Sequence, residues 1–87
     1  MLNIRSRKLL TGLLRDKAIK AASQNEDPGK FMKGTLDYLY EVERLNGGLG
    51  ATDNDKSNEI ALFLYFGTAC MEYGKEISYI MNRGYQE

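Results

Sequence analysis

From Ile60 to Met81 the chain carries apolar or small residues over more than half of a helical circumference. A helix on the outside of a small bundle ordinarily needs one apolar stripe, so the breadth of this one constrains everything else. Advancing each residue by 100° separates two stripes. Leu62, Phe66, Ala69, Tyr73, Ile77 and Ile80 form the first. Ile60, Phe63, Leu64, Gly67, Met71, Gly74, Ser78 and Met81 form the second. Positions 60, 64, 67, 71, 74, 78 and 81 advance by alternating steps of four and three, the spacing of a coiled-coil seam.

Gly67 and Gly74 stand one heptad apart in that seam. Each costs a helix interior about 1 kcal/mol relative to alanine, so the close approach of another backbone is the expected compensation. Two arrangements supply it. Both stripes can be core, one for each neighbouring helix of a bundle. Alternatively, one stripe faces the bundle and the glycine stripe meets the same helix of a second copy in an isologous dimer. Under either, Ile60, Leu64, Gly67, Met71, Gly74, Ser78 and Met81 line a groove in which a second helix lies close.

Two further helices precede this one. The first covers roughly residues 3–24, with Leu9, Leu10, Leu13, Leu14 and Ala21 on one face and Arg5, Lys8 and Arg15 on the other; Lys17 falls within the apolar arc. "NEDPG" at 25–29 breaks the chain, with Asp27 placed to cap and Pro28 suited to a first helical position. The second helix, roughly 28–46, turns Phe31, Met32, Thr35, Leu36, Tyr38, Leu39, Val42 and Leu45 one way and its charges the other. Glu41 and Arg44 sit at helix-neighbour spacing. Gly47 then offers a left-handed cap.

"NGGLGATDNDK" at 46–56 is long for a helix–helix connection and reads as either flexible or functional. Asp53, Asp55 or Ser57 can cap the third helix, which is expected to run about 26 residues and stop before Gly84. No repeat or strand alternation interrupts this reading. The expected fold is all-α, a small antiparallel three-helix bundle with a long C-terminal helix, forming a single domain over residues 1–87. A chain of this size buries a modest share of its surface, which makes dimerisation a natural source of stability.

The residue inventory removes most catalytic chemistries. There is no histidine, hence no histidine-based triad or metal ligand set, and Cys70, the only cysteine, has no base to activate it. That lone cysteine also fits a reducing compartment. "GATDNDKS" at 50–57 lacks the second glycine and the preceding strand of a phosphate-binding loop, and its carboxylates would repel phosphate. "DNDKSNE" at 53–59 begins like a calcium loop, but Asn58 stands where glycine is needed and Leu64 where a ligand is needed. Glu72 and Glu76 flank Lys75 on a polar strip shared with Tyr65, Thr68 and Tyr79, and read as a solvated face. The longest apolar run, Ile60 to Met71, is about half a membrane span, and the charged N-terminal segment does not resemble a signal peptide. A cytoplasmic protein without cofactor or metal is therefore expected.

Charge is unevenly distributed. Residues 1–33 hold eight basic and three acidic side chains, a net +5, and the remainder is −5. Arg5, Lys8 and Arg15 form a basic patch that could contact nucleic-acid phosphates or an anionic membrane surface. Acidic residues on the other two helices weigh against groove binding. Tyr40, Tyr65 and Tyr79, together with Glu72, are the candidate contacts for a protein partner, because tyrosine contributes large contact area at low entropy cost. The leading expectation is a non-enzymatic interaction module: an inhibitor, adaptor or regulator that self-associates through its third helix. Its size suits a phage- or mobile-element-encoded protein. Nucleic-acid binding through the first helix is the alternative.

Overall fold

The computed structural model describes residues 2–50, 52 and 54–86. Three helices follow one another up, down and up: α1 over Ile4–Ser23, α2 over Pro28–Asn46 and α3 over Asp55–Gln86. The all-α three-helix bundle anticipated from periodicity is present. Each start has a local cause. Asn3 Oδ1 accepts from the Ser6 amide at 2.8 Å, and Asp27 accepts from the Lys30 amide at 3.1 Å. At α3 the cap is Asn54, accepting from the Lys56 amide at 2.8 Å, and not Asp55 or Ser57 as anticipated; Asp53 lies outside the described residues. Gly47 closes α2 in the left-handed conformation.

The third helix is longer than expected. It continues through Gly84 for 32 residues, about 48 Å at 1.5 Å per residue, and sets the 50 Å long axis of the molecule. The helices do not share contact evenly. α1 lies along α3 over most of its length, α2 meets α3 over a shorter stretch, and α1 and α2 touch least. Tyr73 reaches the α1–α2 turn, Ile77 still packs against the core, and from Ser78 to Arg83 α3 runs on exposed.

The core is consequently narrow. Leu10, Leu14, Ala18, Ala21 and Ala22 of α1 pack with Phe31 and Leu39 of α2 and with Ala69 and Tyr73 of α3. Phe31 and Tyr73 stack with ring centroids 4.6 Å apart, and the Tyr73 hydroxyl donates to the Glu26 carbonyl. That hydroxyl pins the α1–α2 turn to the middle of α3. Several residues expected inside are outside. Leu9, Leu13, Met32 and Leu45 are exposed, because the loose α1–α2 seam leaves their side of the bundle open. Lys17, out of place in an apolar arc, places its ammonium 4.7 Å from the centre of the Tyr38 ring.

The α2–α3 connection is anchored where flexibility was one expectation. Leu49 is fully buried at the end of the bundle, and the Gly50 amide donates to Asn58 Oδ1 at 2.8 Å. The Leu2 amide in turn donates to the Gly50 carbonyl. The segment ties the chain's start, the end of α2 and the first turn of α3 together.

Candidate functional site

The two stripes of α3 have opposite fates. In the first, Ala69 and Tyr73 are buried and Leu62, Phe66 and Ile77 pack against the core, but Ile80, past the end of the bundle, is exposed. The seam stripe stands largely in solvent, with Ile60 and Leu64 on the rim of a cleft beside α1. Phe63 is 73% exposed, Met71 69%, Leu64 66%, Met81 57% and Ile60 56%. A methyl group built at Gly67 or Gly74 would meet nothing within 4 Å. The arrangement with both stripes inside the bundle is thereby overturned. The physical reason is that α1 and α2 both dock on the same half of α3, and nothing among the described residues wraps to its far side. Ser78 completes a continuous exposed face with no intramolecular partner helix.

The polar strip is likewise relocated. Part of it lies against α1 instead of in water. Tyr65 is half-buried beside Arg7, and desolvation raises its phenol pKa while the Arg7 charge opposes the shift. Glu72 retains 19% side-chain exposure and sits 3.6 Å from Arg15 and 3.9 Å from Lys75. Of the four partner-binding candidates, then, Tyr65 and Glu72 help join α1 to α3, whereas Tyr40 and Tyr79 are exposed. Arg83 lies over the Tyr79 ring at 5.7 Å. In the basic patch Arg5 and Lys8 face solvent, but Arg15 is engaged by Glu72 across the helix interface.

Two clefts accompany these surfaces. One of about 280 Å³ lies between the end of α1 and the start of α2 and collects Lys17, Lys20 and Lys30 with Glu26. Sequence periodicity does not bring Lys30 to Lys17 and Lys20, because it comes from α2 and they come from α1. The second, about 340 Å³, opens at the first turns of α3 between Arg7, Thr11, Leu49, Ser57, Ile60 and Leu64. It adjoins the exposed seam. The signal that could have located it is the Gly-Gly-Leu-Gly run: a leucine set among glycines is an apolar plug in an otherwise polar connection.

Among the described residues, no group of three or more cysteine, aspartate or glutamate side chains is placed to hold a metal ion. Asn58, within the calcium-like run, is committed to the Gly50 amide. Cys70 is half-buried and desolvation raises its thiol pKa, the wrong direction for a nucleophile. No described helix is long and apolar enough to cross a membrane. Compared with protein-family models, curated proteins and solved structures, the chain finds no match. The most developed surface of the molecule is therefore the outer face of α3.

Proposed function

We propose that this protein is a non-enzymatic helical interaction module, an inhibitor, adaptor or regulator of a partner protein in the cytoplasm, and that it self-associates through the outer face of α3. One observation supports this reading above the others. Five large apolar side chains, from Ile60 to Met81, stand more than half exposed on a single helix face turned away from its own bundle. Leaving so large a contiguous apolar patch in water is costly, and such patches mark interaction sites. Tyr40 and Tyr79, exposed outside the seam, are the contacts for the regulated partner.

Light scattering tests the self-association directly. The wild-type chain is expected at twice its 9.9 kDa mass, and Leu64→Glu at the single mass with helical content retained. A wild-type monomer at millimolar concentration would refute it. Nucleic-acid binding is the second reading, favoured by the Lys17, Lys20 and Lys30 cleft at one end of α1 and by exposed Arg5 and Lys8 at the other. It requires an affinity for duplex or single-stranded oligonucleotides that falls steeply with salt and is lost when Arg5, Lys8 and Lys20 are reversed to glutamate.

A further inference from the structure

We infer that the second copy docks on α3 antiparallel, in one register, with a two-fold axis crossing the helix pair level with Ala69. The inference rests on the self-association proposed above and adds its geometry. In an antiparallel helix pair, each core layer joins residues from opposite halves of the seam. With the axis at Ala69, Gly67 faces the partner's Met71, Leu64 faces the partner's Gly74, and Ile60 faces the partner's Ser78. Every layer then combines one large and one small residue, so Ile60, Leu64 and Met71 each enter the space that a serine or glycine leaves, while Phe63 lies beside the seam. The symmetry repeats each layer on the other side of the axis.

Competing arrangements lose this match. A parallel pair stacks Leu64 on the partner's Leu64 and Gly67 on the partner's Gly67, so wide layers hold the backbones apart where the glycines leave voids. Shifting the antiparallel register by one heptad sets Gly67 against the partner's Ser78 and Leu64 against the partner's Met81. That creates one empty layer and one crowded layer.

Two features outside the layers agree. The far end of α3 has no bundle beneath it, and Met81 near its tip falls opposite the partner's Ser57, on the rim of the cleft of about 340 Å³. The area is also sufficient. Five large side chains at these exposures present on the order of 600 Å² per copy, about 1,200 Å² for the pair, which reaches the lower limit of stable specific interfaces. α1 and α2 dock on the other half of α3, so two bundles flank the pair without obstructing it.

Exchanging the members of one layer tests the register. The first side-chain carbon of Gly67→Met meets nothing within 4 Å in its own chain, and retained helical content by circular dichroism checks that the fold accepts the rest. It sets methionine against methionine in two symmetry-related layers, and the dimer dissociation constant is expected to rise about 100-fold. Adding Met71→Gly restores the large-to-small pairing and should return the constant to within about tenfold of wild type. Spin labels at Arg83→Cys in a Cys70→Ser background should lie about 40 Å apart in the antiparallel pair and under about 20 Å in a parallel one. A dimer that tolerates Gly67→Met, is not rescued by the exchange, or gives the short distance overturns the register while leaving self-association standing. A wild-type chain that stays monomeric overturns both.

Discussion

Two glycine pairs in this molecule look alike in sequence and behave oppositely. Gly48 and Gly50 bracket Leu49 in the α2–α3 connection, and a side chain at either has no room. A methyl carbon at Gly50 would fall 2.4 Å from Ser57 Oγ and 2.9 Å from the Ser57 carbonyl carbon. One at Gly48 would fall 2.5 Å from Asn58 Oδ1, on a residue whose φ of +130° already disfavours side chains. Gly67 and Gly74, in the middle of α3, have open space where a side chain would go. The first pair is required by the fold of the single chain. The second weakens the helix that contains it, and among the described residues nothing lies close enough to compensate. A glycine that costs stability without local compensation is informative about partners in a way that a glycine in a tight turn is not.

Substitutions separate the two cases by size and sign. The largest effect belongs to Leu49→Ala. It empties a fully buried position that the clasped connection cannot easily collapse around, and should cost about 3 kcal/mol in urea denaturation. Gly50→Ala should cost about 2 kcal/mol, because one of the clashing atoms belongs to the α3 backbone. If Gly50→Ala proves neutral, the connection is not the clasp described. Gly67→Ala and Gly74→Ala should move the other way. Measured at concentrations low enough to keep the chain monomeric, each should stabilise the fold by about 0.5–1 kcal/mol. Destabilisation at either position would mean that the helix face meets something within its own chain, and the contrast between the pairs would fail.

The same contrast shows what was legible before the fold was known. Helix order, the Asp27 and Gly47 caps and the division of α3 into two stripes follow from spacing, because caps and periodicity are local properties. Whether the glycine stripe lies inside the bundle or outside it could not be read, since both stripes have the composition of a core. That choice depends on where α1 and α2 dock, and a 100° wheel contains no information about neighbours. The misplacement of Glu72 and Tyr65 has the same origin. Polar residues beside a core stripe look solvated until another helix brings Arg15 and Arg7 to them. Leu9 and Leu13 erred in the opposite direction: their periodicity fits a core that the loose α1–α2 seam does not build. The role of Asn54 over its acidic neighbours likewise turned on the exact residue at which α3 begins.

The smallest effect probes the polar side of α3 through Tyr65. Desolvation between α3 and α1 raises its phenol pKa in the folded chain, with the Arg7 charge partly opposing. An acid whose folded pKa is raised is held neutral by folding. Below the unfolded value, near 10, both states are protonated and the group is indifferent to pH. As pH climbs past that value the unfolded chain ionises first, and stability declines until the folded phenol ionises as well. Tyr65→Phe removes this dependence while keeping the ring against α1. Urea midpoints at pH 8 and pH 11 should therefore fall less for Tyr65→Phe than for wild type, by a small margin because the phenol is only partly buried. Equal declines in Tyr65→Phe and wild type would place Tyr65 in water, and the polar strip would then be the open surface that its sequence suggests.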